Sequence, residues 1–289
     1  MNIQVYTLNA FTKNGSGGNP AGVVLKGDLL DKSEMQITAR KIGFSETAFV
    51  QHSNIADFKL SYFTPNNEVN LCGHATIATF SLMFLKKKIQ VGSYTIETKA
   101  GVLAITIYDN NQVFLSQALP IFYEQPKKEE IARSLNLFNS DFDSSLPVEI
   151  VSTGLRDILI PIKNVRILNT IKPDFTRIID VSKKYQVIGY HLFTLNTEND
   201  MIVCCRNFAP LYGISEESAT GTSTGALTCY LYKYSKTQGK DILSFEQGYS
   251  MKCTSSIFSK LTIKNGEITC IEVGGTASNV KKQTISIYV

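Results

Sequence analysis

The chain has 289 residues, 43% of them apolar and 19% charged, with a formal net charge of +4 and a pI near 8.6. That is enough apolar material for two cores of ordinary size. The basic residues are scattered apart from Lys86-Lys87-Lys88, which suits a solvated helix end better than a nucleic-acid surface, and no apolar run approaches membrane-spanning length.

Residues 3–8 read as a strand from the start rather than as a signal peptide, so the expected setting is cytoplasmic. The run Asn14-Gly15-Ser16-Gly17-Gly18-Asn19-Pro20-Ala21-Gly22 is dense in turn formers, and a strand follows at 23–25. Its glycines lack the strand-to-helix frame of a dinucleotide fingerprint, which leaves a surface loop or a ligand loop. Asp31 or Ser33 can cap a helix that runs to Ile42, with Met35, Ala39 and Ile42 on one face. In Gly43-Phe44-Ser45-Glu46-Thr47-Ala48-Phe49-Val50, strand alternation puts Phe44, Glu46 and Ala48 on one side. A carboxylate on an apolar face is a candidate general acid or base; the alternative is an edge-strand glutamate in water.

A strand at 58–63 stops before Pro65, and a buried helix spans 75–85. Strands at 94–98, 102–108 and 113–116 complete a first half gathered around one central helix. The second half has a surface helix at 128–135, strands at 148–152 and 158–162, polar helical material over 170–185, and strands at 187–194 and 201–208. A second central helix covers 222–234, strands follow at 242–245, 256–263 and 267–273, and a last alternating strand occupies 284–289. The halves divide as 1–118 and 119–283, with 284–289 a candidate to complete the first. The fold class is therefore α+β.

Two stretches share a design. Asn70-Leu71-Cys72-Gly73-His74-Ala75-Thr76 and Ser218-Ala219-Thr220-Gly221-Thr222-Ser223-Thr224-Gly225 each turn at a glycine and open an apolar helix. Aligning Gly73 on Gly221 sets Cys72 on Thr220 and His74 on Thr222. Helix starts carry free backbone N–H groups, so two such turns on one cleft would suit a carboxylate. The six cysteines include no C-x-x-C pair and the three histidines lie far apart in sequence, so no metal site is expected. Cys204 and Cys205, adjacent on a strand, point to opposite faces; reduced and mostly buried thiols are expected, Cys72 excepted.

At Gly18-Asn19-Pro20-Ala21-Gly22, Ser45-Glu46-Thr47-Ala48-Phe49, Tyr62-Phe63-Thr64-Pro65, Glu68 and Leu71-Cys72-Gly73-His74-Ala75-Thr76 the sequence resembles the phenazine-biosynthesis isomerase (PhzF-like) family. Arg206, Phe208, Pro210, Gly213-Ile214, Ala219-Thr220-Gly221, Glu246-Gln247-Gly248 and Gly274-Gly275 continue the match in order. The resemblance implies a diaminopimelate-epimerase-like fold of two pseudo-symmetric halves, each a sheet wrapped around a central helix, with one site between them, usually in a homodimer and with no cofactor. It also implies a proton shift within a small hydroxylated cyclic carboxylate, with Glu46 removing and returning the proton and His74 and Glu217 orienting and polarising the substrate. Asn19, Cys72, Gly73, Gly221 and Thr222 would hold the substrate. The chain departs from the family pattern where Glu217-Ser218 replaces the usual Asp-Pro and where Lys252-Cys253-Thr254-Ser255 replaces an Arg-Pro-Ser triplet.

Two other readings stay open. Cys72 at a helix N-terminus could serve a racemase or epimerase, although its symmetric counterpart is Thr220 rather than a second thiol. The scaffold could also hold a metabolite without turning it over. His74 and Glu217 likewise have ordinary readings, as a helix-start histidine bonded to a carbonyl and a first-turn acid favoured by the helix dipole.

Overall fold

The computed structural model describes residues 1–197, 202–237, 239–240 and 242–287. The chain forms two compact units, Met1–Ser116 with Gly274–Val289, and Gln117–Val273. The first contains β1 (Asn2–Ala10), β2 (Asn19–Val24), α1 (Lys32–Ile42), β3 (Thr47–Gln51), β4 (Phe58–Phe63), β5 (Glu68–Val69), α2 (Gly73–Leu85), β6 (Gly92–Thr98), β7 (Gly101–Ile107) and β8 (Val113–Gln117). There follow β9 (Ile121–Phe122), α3 (Lys128–Leu135), β10 (Glu149–Ser152), β11 (Arg156–Pro161), α4 (Val165–Thr170), α5 (Phe175–Tyr185), β12 (Gly189–Thr194), β13 (Ile202–Ala209) and β14 (Ile214–Glu217). The chain ends with α6 (Gly221–Lys233), β15 (Ile242–Gln247), β16 (Ser255–Lys264), β17 (Glu267–Gly275) and β18 (Ala277–Ser286).

The two units repeat one topology. In the first, β1–β2, β3–β4, β4–β5 and β6–β7 are antiparallel while β2–β3 and β4–β6 are parallel. In the second, β10–β11, β12–β13, β13–β14 and β15–β16 are antiparallel while β11–β12 and β13–β15 are parallel. The outer neighbour also recurs, β18 on β1 and β9 on β10.

Each sheet closes on one apolar helix. Every residue of α2 from His74 to Met83 is buried, and the helix packs on β1, β2, β3 and β18. Every residue of α6 from Ser223 to Leu231 is buried, against β10, β11 and β16. Such a helix has no polar face to give to water, so the sheet must surround it. Phe80, wholly buried on α2, meets Phe58 edge-on at 5.8 Å between ring centroids. Among the described residues no helix is long and apolar enough to cross a membrane.

Local chemistry explains where the elements begin and end. Asp31, not Ser33, caps α1: its carboxylate accepts the Glu34 N–H while Glu34 accepts the Asp31 N–H, and Gly43 ends the helix at φ 75°. The strand expected at 23 begins at Asn19, because Gly18 at φ 84° turns the chain onto β1, where a Cβ would stand 2.5 Å from the Ala10 carbonyl oxygen. Of the helical material expected over 170–185, α5 begins only at Phe175, after Pro173, where Asp174 caps it by accepting the Arg177 N–H; α4, capped by Asn164, ends at Thr170 and is not among the expected elements. The last strand starts at Ala277 rather than 284, while Met201 and residues 288–289 of the expected strands lie outside the described residues.

A buried polar network underlies the start of α6. Ser223 Oγ donates to Asp157 Oδ2, and Asn207 Nδ2 reaches Ser223 Oγ at 3.3 Å and His191 Nδ1 at 3.2 Å. Burial pushes the Asp157 carboxyl up to about 7 and the His191 imidazole down to about 3. Both groups are therefore held toward their neutral forms.

Two stability predictions follow from these contacts. Phe80→Ala should cost about 3–5 kcal/mol through lost burial and a cavity, whereas Asp31→Ala should cost only about 1 kcal/mol, both read from urea unfolding midpoints. The second concerns pH. Between the ordinary Asp value of 3.8 and about 7, folded Asp157 keeps a proton that the unfolded chain releases, so its contribution falls as pH rises through this window and then levels off. His191 acts oppositely, its contribution being lost as pH drops below 6.5 toward about 3. Asp157→Asn should remove the first limb alone, so the variant should lose less stability than the parent between about pH 5 and pH 8 in urea titrations.

Candidate active site

The first glycine turn follows the β4–β5 hairpin, and Cys72 stands at the N-cap of α2 in extended conformation (φ −141°, ψ 111°) with no side-chain capping bond. The first bond closing the helix runs from the Thr76 N–H to the Cys72 carbonyl, at 3.1 Å. The helix therefore has no internal acceptor for the N–H groups of Gly73, His74 and Ala75. Thr76 Oγ1 also bonds the Cys72 carbonyl at 2.7 Å and the Tyr62 hydroxyl at 2.6 Å, tying the turn to β4. At Gly73 no heavy atom lies within 4 Å of the place a Cβ would take, and its φ is not left-handed. Neither strain nor crowding within the chain demands glycine here, and the helix start opens onto free space.

Glu46 comes to this turn from the chain ahead of β3. Strand alternation puts Glu46 on one face with Phe44, but β3 begins only at Thr47 and residues 44–45 form a bend. Gly43 in the left-handed region redirects the chain, so alternation does not yet apply at Glu46. The Gly22 N–H donates to the Glu46 carbonyl at 3.1 Å and anchors that bend to β2. Its carboxylate Oε2 then stands 3.4 Å from His74 Nε2, with side chains 21% and 8% exposed respectively, so the pair is sheltered yet reachable from Glu46.

His74 is the hub. Cys72 Sγ lies 3.4 Å from its Nδ1, Ser45 Oγ lies 3.4 Å from its Nε2, and the Pro20 carbonyl accepts a hydrogen bond from the ring. Burial lowers its pKa, with the Glu46 charge and the Pro20 carbonyl pulling the other way, so a neutral imidazole predominates near neutrality. Asn19, buried at the start of β2, precedes Pro20 directly. Glu46, Cys72, Gly73 and His74 thus come together, with Asn19 one residue from the imidazole's backbone partner.

The second turn repeats the scaffold with other side chains. Thr220 is the N-cap of α6 (φ −128°, ψ 95°), again without a side-chain cap, and Thr224 bonds the Thr220 carbonyl as Thr76 bonds that of Cys72. The Glu217 carboxylate, half-buried, accepts the Thr220 hydroxyl at 2.6 Å. Gln247, buried, joins these pieces: Nε2 donates to the Glu217 carbonyl at 2.7 Å and to Thr220 Oγ1 at 3.0 Å, while Oε1 accepts the Thr220 N–H at 3.2 Å. The carbonyls of Gly221 and Thr222 accept from Gln117 and Thr153.

Sequence reasoning gave no role to Ser45, Pro20 or Gln247, although all three lie within the motifs that carried the resemblance. Arg206, also in those motifs, is a structural residue: its guanidinium grips the Glu216 carboxylate and the carbonyls of Leu168 and Ile171. Glu68 pairs with Lys32 and Lys99.

The chain is similar to known proteins over nearly its whole length. Residues 8–283 match the family described as phenazine biosynthesis-like protein, PhzC-PhzF. The chain is 33% identical over 281 residues to an uncharacterized isomerase, YfhB, of Bacillus subtilis (strain 168), covering 95% of each. It is 25% identical over 299 residues to the trans-2,3-dihydro-3-hydroxyanthranilate isomerase of Pseudomonas chlororaphis, covering 96% of this chain and 97% of that one. The crystal structure of the Bacillus anthracis phenazine biosynthesis protein of the PhzF family superposes with a TM-score of 0.91 at 33% identity, over 99% of this chain and 100% of the other. With the paired glycine turns, the repeated α+β topology and a match across nearly its whole length, the chain belongs to the phenazine biosynthesis-like (PhzF) protein family, where it stands among the isomerases.

Proposed function

We propose that this isomerase moves a proton between two carbons of a small hydroxylated cyclic carboxylate, with Glu46 as the group that takes and returns it. The observation carrying this reading is the approach of Glu46 Oε2 to a neutral, buried His74 at 3.4 Å. In the first step the Glu46 carboxylate accepts a proton from a C–H next to a carbonyl or enol system, and the electron pair left behind shifts the double bond. In the second step the protonated carboxyl delivers that proton to the far carbon. Atoms and electrons balance within the substrate and the carboxyl group, so the cycle needs no redox partner.

His74 positions and polarises. Its bond to the Pro20 carbonyl restrains the ring beside Glu46. The N–H groups of Gly73 and His74 are the donors for the substrate carboxylate, since a helix start favours an anion and the space over Gly73 is open. Glu217 at the end of β14 and the N–H groups of Gly221 and Thr222 at the start of α6 offer an acid and donors of the same kind. The trans-2,3-dihydro-3-hydroxyanthranilate on which the Pseudomonas relative acts is the first compound to test.

A second reading, racemisation or epimerisation with Cys72 as a base, draws on its thiol standing 3.4 Å from the His74 ring. Solvent deuterium entering a stereocentre and vanishing in Cys72→Ser would select it.

Glu46→Gln keeps the shape and removes the titrating group, so solvent-deuterium incorporation into the product should fall by about 100- to 10,000-fold while ligand binding persists. Undiminished exchange would remove Glu46 from the chemistry. A second measurement addresses the carboxylate. Gly73→Ala adds a methyl where no protein atom stands within 4 Å, so the melting temperature should hold while KM rises by about tenfold or more. An unchanged KM would place the carboxylate elsewhere.

A further inference from the structure

We propose that Glu46, Cys72 and His74 together form a binding site for a zinc ion, and that metal occupancy there blocks isomerisation. One oxygen of Glu46, the thiol sulfur of Cys72 and one ring nitrogen of His74 all lie within 4.8 Å of one another. Zinc bonds of about 2.0–2.3 Å to O, N and S ligands place neighbouring donor atoms of a tetrahedron about 3.3–3.8 Å apart. Glu46 Oε2 to His74 Nε2, at 3.4 Å, has that spacing; Cys72 Sγ stands 3.8 Å from the same nitrogen and 3.4 Å from Nδ1, so its side chain must turn toward Nε2 to join a common ion. The remaining edge, from Glu46 to Cys72, is no longer than 4.8 Å.

Three further features suit a metal. The imidazole carries a backbone carbonyl partner, Pro20, which is the outer-shell contact that orients metal-bound histidines. Two of the three ligands, Cys72 and His74, are each only 7% exposed, which shields the bound ion, while Glu46 reaches solvent and leaves an entry path. Finally, three protein donors leave a fourth position for water. One thiolate, one imidazole and one carboxylate make a borderline-soft set, which selects zinc and its substitute cobalt over magnesium or calcium. Sequence spacing hid this set because Glu46 comes from a different segment than the Cys72-Gly73-His74 turn.

The functional consequence is competition. Binding takes the thiolate form of Cys72, releasing one proton, and ties up the Glu46 oxygen and the His74 ring. A carboxylate bound to zinc cannot accept a substrate proton, so metal and turnover exclude one another. The site itself rests on side-chain geometry and stands whether or not Glu46 is the proton shuttle.

The test uses the full-length, reduced, metal-free chain titrated anaerobically with cobalt(II). The expected result is one cobalt per chain with a near-ultraviolet thiolate-to-cobalt charge-transfer band, bleached on adding zinc. That band should disappear in Cys72→Ser, while Glu46→Gln should keep it and bind about tenfold or more weaker. Absence of the band in the parent chain, or its persistence in Cys72→Ser, overturns the proposal. Should Cys72→Ser fail to fold, alkylation of the parent chain decides: zinc should protect Cys72 from iodoacetamide in peptide mass spectra, and an equally labelled Cys72 overturns it. Because these readouts do not use the isomerase reaction, their failure is distinct from failure of the Glu46 mechanism.

Discussion

The structure of the first unit depends on how a wholly buried helix meets the polar ends of its own backbone. From His74 to Met83 α2 has no solvated face, so the sheet must enclose it, yet its first turn carries N–H groups that the helix itself cannot satisfy. The chain concentrates that polar demand at one place. Thr76 and Tyr62 close the Cys72 carbonyl into the core, while Gly73 leaves the donors beside it open. Backbone donors at an open turn are thus a consequence of burying the helix.

The same constraint recurs at α6, and comparing the two shows what has diverged. Both N-caps are extended, both lack a side-chain cap, and both are tied by a threonine four residues on. At the first turn the side chains are a thiol and an imidazole that meet a carboxylate from the chain ahead of β3. At the second they are hydroxyls, with Glu217 folded onto Thr220 and the whole held by Gln247. The Glu217 carboxylate accepts the Thr220 hydroxyl at 2.6 Å within its own turn.

Buried polar groups elsewhere serve the scaffold. The Asp157, Ser223, Asn207 and His191 network lies beneath the start of α6, with Leu159 opposite His191 and His191 opposite Asn207 in adjacent strands. Polar groups under an otherwise apolar helix act together in low dielectric, and they define how the first turn of α6 seats on its sheet.

The sequence by itself determined the α+β class, nearly every strand, both central helices and the pairing of the two glycine turns. These follow from short-range causes: apolar periodicity, capping residues and glycine, each acting within a few positions of the chain. It also singled out Glu46, His74 and Cys72, through local patterning and the resemblance. It misplaced Glu46 on a strand, because alternation cannot report a bend set by Gly43, and it missed α4 and began the following helix ahead of Pro173. Only tertiary structure decided that Glu46, Cys72 and His74 share a space within 4.8 Å, that Pro20 holds the imidazole, and that Gln247 organises a turn thirty positions ahead of it. Contacts of that kind join residues far apart in the chain, and strand pairing sets their distances, which no local pattern of residues encodes.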